Sequence, residues 1–140
     1  MDCARERAVP LPLSGCLVRL GTGSRRRAAL EIYVGPGGLF DVVLADVFGA
    51  RPLRAAVRGG GARDGWSLAW GHLLGPAAPA VTFGSRRAAV RAPVAVVADA
   101  FWVAEVPGRH RRVQVTCADA SDTGRLHRIR NASAPAGPTA

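Results

Sequence analysis

The chain contains a series of short segments in which apolar and polar residues alternate, and this alternation constrains its fold more than any other feature. Side chains of an extended strand point to opposite faces in turn, so such alternation is typical of a strand with one buried face. The segments lie at residues 29–34, 53–58, 66–70, 88–94 and 112–117. The sequence therefore predicts strands along most of its length.

Turn-forming sequences separate these segments. Stretches rich in Gly and Pro, or in Asp, lie at residues 35–38, 58–65, 75–79, 106–109 and 119–124. Short strands that alternate with such turns at spacings of about 8–12 residues are typical of a sandwich or barrel. We therefore predict an all-β fold, an antiparallel β-sandwich that is either Ig-like or similar to a small barrel.

The alternation also predicts which side chains form the core. The inward-facing residues of the predicted strands are Leu30, Ile32, Val34, Trp66, Leu68, Val90, Val94, Phe101, Val103, Val113 and Val115. The stretch FWVAEV at residues 101–106 is apolar on both faces for most of its length, which favours a central strand covered on both sides. Cys117 ends an alternating segment on its apolar side, so a buried, inert thiol is expected there.

One segment leaves the choice between helix and strand open. Within residues 39–49, Leu39, Val43 and Val47 follow the i, i+4 spacing of a helix, and Gly49 could end it. The β-branched residues of the same segment favour a strand instead. We predict a strand here, with one short helix as the alternative.

Composition divides the chain into three parts. A length of 140 residues suits one domain with its own core, and an apolar fraction of 49% favours a folded body over disorder. We predict an irregular leader at residues 1–16, a single β-rich domain at residues 17–130 and a flexible tail at residues 131–140. No run approaches the ~18 consecutive apolar residues of a membrane-spanning helix.

We expect a cytoplasmic location by default, and the N-terminal segment suggests one alternative. The residues LSGC at Leu13–Cys16 match the cleavage site of a bacterial lipoprotein, whose cysteine carries the lipid. The preceding residues lack the basic segment and the long apolar run of such a signal, because acidic residues offset the arginines and prolines interrupt the run. A lipoprotein anchored at Cys16 is therefore the alternative.

The chain is strongly basic, with a net charge of +9, and arginine carries all of its positive side-chain charge apart from histidine. Its abundance of Ala, Gly, Val, Pro and Arg is typical of a GC-rich genome, so the preference for arginine over lysine says little about chemistry. The excess of positive charge still influences solubility and attracts polyanions.

Two basic segments near the C-terminal end form a candidate binding site. GRHRR at residues 108–112 is predicted as a turn, and RLHRIR at residues 125–130 as a following strand. If both lie on one edge, they bring together the candidate anion-binding residues Arg109, His110, Arg111, Arg112, Arg125, Arg128 and Arg130. An exposed Trp102 would add a ring on which bases can stack. The alternative is a solvated turn beside an edge strand that its charge protects from aggregation.

The C-terminal half also carries a pattern of its own, in which a strand follows a Gly/Pro turn and the residues APV come next. An aromatic pair in FWVAEVPG and a closing VTC and GRL complete it. Over residues 66–130 this pattern resembles a small β-rich domain of uncharacterised actinobacterial proteins, although EVPG there often carries more aromatic residues. The resemblance implies a β-rich fold and brings no activity with it.

No motif predicts catalysis, a cofactor or a metal. The Gly-rich loops lack a nucleotide-binding fingerprint, and no serine lies in a nucleophile elbow. The three cysteines and three histidines lack the spacing of a zinc site. Asp41 with Asp46, or Asp119 with Asp122, could pair as carboxylates, but no further residue supports acid–base catalysis. We therefore predict no catalytic, cofactor-binding or metal-binding residues.

These observations predict a non-enzymatic β-sandwich domain that serves as a protein-interaction or accessory module, with a partner that the sequence does not identify. The alternative is an arginine-rich protein that binds nucleic acid or another polyanion.

Overall fold

The computed structural model describes residues 8–22, 26–34, 38–45, 50–117 and 119–129, and these residues form thirteen strands without an α-helix. The strands are β1 (Val9–Pro10), β2 (Leu17–Thr22), β3 (Ala28–Tyr33), β4 (Leu39–Leu44), β5 (Ala55–Gly59), β6 (Trp66–His72), β7 (Ala80–Gly84), β8 (Ala89–Arg91), β9 (Val94–Val97), β10 (Phe101–Pro107), β11 (Arg112–Cys117), β12 (Ala120–Arg125) and β13 (His127–Arg128). The predicted all-β fold is confirmed.

The strands form three sheets. Sheet A has the order β1-β2-β3-β4, sheet B the order β13-β5-β6-β10-β9, and sheet C the order β12-β11-β7-β8. Neighbouring strands are antiparallel except that β13 runs parallel to β5. The segment for which a helix was the alternative forms β4, which pairs with β3 over its length. Residues 46–49 of that segment lie outside the described residues.

Sheet B is buried on both faces, and this makes the fold three layers deep. Every residue of β6 is buried, and alternate side chains point to opposite sides. Leu68 and Trp70 pack with sheet A, whereas Ala69 packs with sheet C. Strand β10 does the same with Val103 toward sheet A and Trp102 toward sheet C. The prediction that FWVAEV is a central, covered strand is therefore confirmed.

The predicted core residues occupy both interfaces between layers. Eight of them are buried, and Val34, Val90 and Val94 are half-buried against the same clusters. Cys117 is buried as expected. The prediction did not foresee that the core is divided, because alternation identifies the inward face of a strand but not how many sheets lie above it.

Sheets B and C share two corners, at each of which the chain crosses from one sheet to the other. At the first corner Ala92 links β8 to β9, and its N–H donates to the Val81 carbonyl at 2.8 Å. At the second, Leu126 links β12 to β13, and its N–H donates to the Arg111 carbonyl at 3.0 Å. The second corner gathers the ends of β5, β11, β12 and β13.

Residues 8–16, predicted as part of an irregular leader, are attached to the sheets. Strand β1 pairs with β2, and the Glu105 carboxylate accepts the N–H groups of Leu13 and Ser14 at 2.9 and 2.7 Å. The segment is therefore irregular except for β1, and backbone bonds and contacts with the Glu105 carboxylate attach it to the sheets. Residues 1–7 of the leader and the tail at 131–140 lie outside the described residues.

The thiol of Cys16 lies in the core between sheets A and B, with only 2% of the residue exposed. Burial raises the pKa of this thiol. Attachment of a lipid would require removal of the segment that Glu105 holds and extraction of Cys16 from the core, and the lipoprotein alternative stays a prediction. Among the described residues no helix is long and apolar enough to span a bilayer.

A half-buried carboxylate joins sheet A to sheet B. Asp41 on β4 accepts the indole N–H of Trp70 at 2.8 Å and two hydrogen bonds from the Arg54 guanidinium at 3.0 and 2.9 Å. Burial alone would raise the pKa of Asp41, but these hydrogen bonds outweigh it and hold the pKa below its ordinary value. Asp41 therefore has a structural role, and Asp46, considered as its catalytic partner, lies outside the described residues.

Replacement of this carboxylate should change how stability depends on pH. Asp41→Asn removes the charge and one acceptor, so we expect the free energy of unfolding at pH 7 to fall by about 1–2 kcal/mol. A lowered pKa contributes stability above the unfolded value of about 3.9, and this contribution disappears as pH falls through the folded pKa. The gap between wild type and variant in urea unfolding should therefore narrow from about pH 5 to about pH 2. A gap that stays constant would contradict the assignment.

Candidate anion-binding site

The corner where β12 crosses to β13 gathers arginines from three separate segments of the chain. Arg58 at the end of β5, Arg109 and Arg111 in the β10–β11 turn, and Arg128 on β13 line one cleft of about 770 Å³. The backbone of Gly59 and Gly60 forms part of the same wall. Arginines that are distant in sequence therefore face one concavity.

A second cleft of about 320 Å³ adjoins the first. Arg112 on β11 and Arg125 on β12 line it, together with Arg58 and Arg111, which belong to both clefts. The two concavities therefore share a wall of guanidinium groups. We call the six residues the arginine cluster: Arg58, Arg109, Arg111, Arg112, Arg125 and Arg128.

The β10–β11 turn determines which of its side chains reach the surface. Pro107 ends β10, and Gly108 adopts a φ of +93°, a conformation that favours glycine. The Gly108 N–H donates to the Gly65 carbonyl, and the Arg111 N–H donates to the Gly84 carbonyl. These bonds anchor both ends of the turn, so that Arg109 and Arg111 are exposed.

His110, predicted together with the arginines, lies beneath the turn instead of on the surface. It is 7% exposed, its N–H donates to the Ser67 hydroxyl at 2.9 Å, and its ring packs 6.1 Å from that of Phe83. Its Nε2 lies 3.3 Å from the Pro107 carbonyl. This corrects the prediction for His110, because an alternating turn that exposes its two neighbours must direct this side chain inward.

Trp102, considered as an exposed stacking ring, is fully buried. Its indole N–H donates to the Pro52 carbonyl at 2.8 Å, and Gly71 leaves the space in which that carbonyl approaches the sheet. The condition for a stacking ring is therefore not met, because β10 is covered on both faces and neither of its rings is available to a base. The arginine cluster therefore has no aromatic partner on this strand.

Arg58 is the member of the cluster that the sequence did not single out. It follows Val57 in an alternating segment and precedes three glycines, so the alternation places it on the solvent-facing side of a strand. In the structure Ala56 packs toward sheet C, and Arg58, two residues on, takes the same direction. Its Nε is buried and has no hydrogen-bond partner among the described residues. Only the crossing of β12 to β13, which the sequence does not indicate, completes the site around it.

The strand registers place like charges opposite each other twice within the cluster. Arg112 on β11 pairs with Arg125 on β12, and Arg58 on β5 pairs with Arg128 on β13. Like charges at directly opposite positions destabilise a sheet. In the described part of the chain no acidic residue lines either cleft, and the ion pairs join Arg19 to Glu31, Arg51 to Asp122 and Arg54 to Asp41. The positive charge of the arginine cluster is therefore not neutralised by any acidic side chain among the described residues.

The remaining candidate groups do not assemble into a catalytic or metal site. Asp122, considered with Asp119 as a carboxylate pair, accepts a hydrogen bond from Arg51 and is buried. No group of His, Cys, Asp and Glu suited to a metal ion occurs among the described residues. Arg130, the last predicted anion-binding residue, lies outside them.

No protein-family model, curated protein or solved structure matches the chain. The resemblance of residues 66–130 to an actinobacterial domain therefore stays a prediction.

Relief of the charge repulsion should stabilise the protein. Arg125→Gln removes one member of an opposed pair, so the free energy of unfolding at low salt should rise by about 0.2–1 kcal/mol. Arg91→Gln is the matched control, because Arg91 is exposed and pairs with Thr82 rather than with a like charge. Urea unfolding in a buffer without polyanions measures both effects. At about 1 M salt the gain should shrink, because the screening length falls to about 3 Å. Equal gains from both variants would contradict this explanation.

Proposed function

We propose that the protein is a non-enzymatic accessory module that binds a phosphate-rich polyanion through the arginine cluster. The observation that carries the proposal is the convergence of six arginines from β5, the β10–β11 turn, β11, β12 and β13 on two adjoining clefts. Arginines that face the same concavities can contact one ligand together, which arginines scattered singly over a basic surface cannot do.

Guanidinium chemistry supports phosphate as the ligand. Each arginine offers a planar set of donors that matches two phosphate oxygens, and the group stays charged at every physiological pH. A bound phosphate between Arg112 and Arg125, or between Arg58 and Arg128, would turn a repulsive pair into an attractive one. The same ligand would offer an acceptor to the unpartnered Nε of Arg58.

A role without catalysis is supported by where the reactive side chains lie. The thiols of Cys16 and Cys117 are buried, and neither lines the arginine clefts. His72 bonds through Nε2 to the Leu44 carbonyl, and His110 packs in the interior. The described residues of the clefts are arginine, glycine, leucine and isoleucine, which bind and orient anions without supplying a nucleophile or a base.

Removal of two arginines from the cluster should weaken polyanion binding more than removal of two arginines elsewhere. We choose Arg111→Gln with Arg128→Gln, since both residues are exposed, and Arg26→Gln with Arg27→Gln, which directly precede β3, as the control. With inorganic polyphosphate as the probe, the dissociation constant of the cluster variant at low salt should rise about tenfold or more. Its dependence on salt should also become less steep, by about one unit of log–log slope for each arginine that no longer binds a phosphate.

The control separates the site from the overall charge, because both variants lose two positive charges. Similar weakening in both variants would show that net charge alone attracts polyphosphate and would overturn the proposal. Absence of any polyphosphate binding by the wild-type protein at low salt would overturn it as well. Thermal unfolding of each variant establishes that the fold is retained.

A protein partner is the second candidate, and strand β4 is the observation that favours it. Leu39, Phe40 and Val42 are 53%, 48% and 39% exposed on a strand that lies at the edge of sheet A. Such an edge presents backbone groups that can pair with another strand. Asp41, the charged residue of β4, is already bonded to Arg54, so two copies of this edge could pair antiparallel without repulsion along the strand.

A second copy of the chain is therefore the partner to test. Val42→Lys places a charge on the β4 edge, and Val96→Lys places one on the exposed edge strand β9 as a control. If β4 mediates pairing, sedimentation should show a concentration-dependent dimer that Val42→Lys abolishes and Val96→Lys leaves intact. A wild-type protein that stays monomeric up to about millimolar concentration, or equal disruption by both variants, would rule out this pairing.

A further inference from the structure

A third concavity continues the two clefts of the arginine cluster onto the outer face of sheet C. It measures about 570 Å³ and shares Arg112 and Arg125 with the second cleft. The second cleft in turn shares Arg58 and Arg111 with the first. The three concavities therefore form a single series that leads from the corner of the fold across the surface of a sheet.

The outer face of sheet C carries a row of hydrogen-bonding side chains beside this series. The strand registers align Arg91 on β8, Thr82 on β7, Gln114 on β11 and Thr123 on β12 as successive partners. Thr82, Gln114 and Thr123 line the third concavity. At about 4.8 Å between strands, the row spans about 14 Å. The neutral side chains of Thr123, Gln114 and Thr82 therefore lie between the charged corner and Arg91.

We propose that the polyanion is a single strand of nucleic acid, which runs from the arginine cluster across this row. The inference rests on the proposed function and names the ligand of the same site. A polynucleotide strand alternates anionic phosphates with neutral sugars and bases that donate and accept hydrogen bonds, and the surface offers charged and neutral partners in the same order. Inorganic polyphosphate offers only acceptor oxygens, whereas the bases of a polynucleotide also offer N–H donors that the Gln114 carbonyl can accept.

The shape of the surface favours one strand over a duplex. The concavities adjoin one another through shared arginines and can follow one backbone, whereas a duplex presents a convex surface with two backbones. The rings of Trp66, Trp70 and Trp102 are buried, and the exposed Phe40 belongs to sheet A, so no described aromatic side chain lines the series. Recognition at this surface therefore depends on phosphate contacts and hydrogen bonds and not on base stacking.

The test compares two ligands that share phosphate and differ in neutral groups. Gln114→Ala with Thr123→Val removes the exposed polar groups of the row and leaves every arginine in place. For an oligothymidylate of about 12 nucleotides the dissociation constant should rise about tenfold, because each hydrogen bond that is removed accounts for about two- to tenfold. Binding of inorganic polyphosphate should weaken less, by about threefold at most, since its oxygens can accept hydrogen bonds from these side chains but it has no donor for the Gln114 carbonyl.

Strand length provides the second measurement. Wild-type affinity should increase as the oligothymidylate grows from about 2 to about 8 nucleotides, because a longer strand reaches the row as well as the cluster. The double variant should lose most of this increase. Thr22→Val, which removes an exposed hydroxyl from sheet A, is the control and should leave both ligands unaffected. If the double variant unfolds at a lower temperature than wild type, Thr123→Val alone is measured in its place.

The outcomes separate this inference from the proposed function. Binding of polyphosphate that depends on the arginine cluster, without binding of the oligothymidylate, would overturn the inference and leave the proposed function standing. Equal weakening of both ligands by the double variant, or tighter binding of a duplex of the same length, would also overturn the inference. Failure of the wild-type protein to bind either ligand at low salt would overturn both.

Discussion

Burial of both faces of the central sheet is the constraint on which the rest of the structure depends. Strands β6 and β10 carry apolar side chains on both faces. Each face of sheet B must therefore be covered by another layer so that these side chains are removed from water. Sheet A covers one face with Leu30 and Ile32, and sheet C covers the other with Val81 and Phe83. Because the same chain supplies all three sheets, it must cross from layer to layer at defined corners.

The arginine cluster is a product of one such corner. The crossing of β12 to β13 sets the ends of four strands side by side, and the registers bring arginine opposite arginine at two places. A sequence could relieve this repulsion by a single substitution at Arg125 or Arg128, both of which are exposed. A locally destabilising arrangement at a concave site is typical of binding sites, where stability is lost in favour of function, and is consistent with the proposed role.

Features that depend on neighbouring residues in the chain could be predicted from the sequence, whereas features that depend on contacts between distant residues could not. Alternation is local, so it identified Ile32, Leu68 and Val115 as core residues and FWVAEV as a covered strand. The burial of Trp102 follows from the same pattern, whereas that of His110 depends on how the β10–β11 turn is anchored, which local patterns do not specify. The role of Arg58 depends on a crossing more than sixty residues away in the chain, so it could not be predicted from its neighbours.

The central claim, that the corner of the fold is a binding site rather than one part of a uniformly basic surface, is tested most directly by NMR. Titration with a single-stranded oligothymidylate, followed by the backbone amide and arginine Nε–H signals, reports where the ligand sits. If the corner is the site, shifts should concentrate at Arg58, Arg111 and Arg125 and extend to Gln114, while Arg26 and Arg27, just before β3, stay unchanged. Shifts of similar size at Arg26 and Arg27 would contradict the claim.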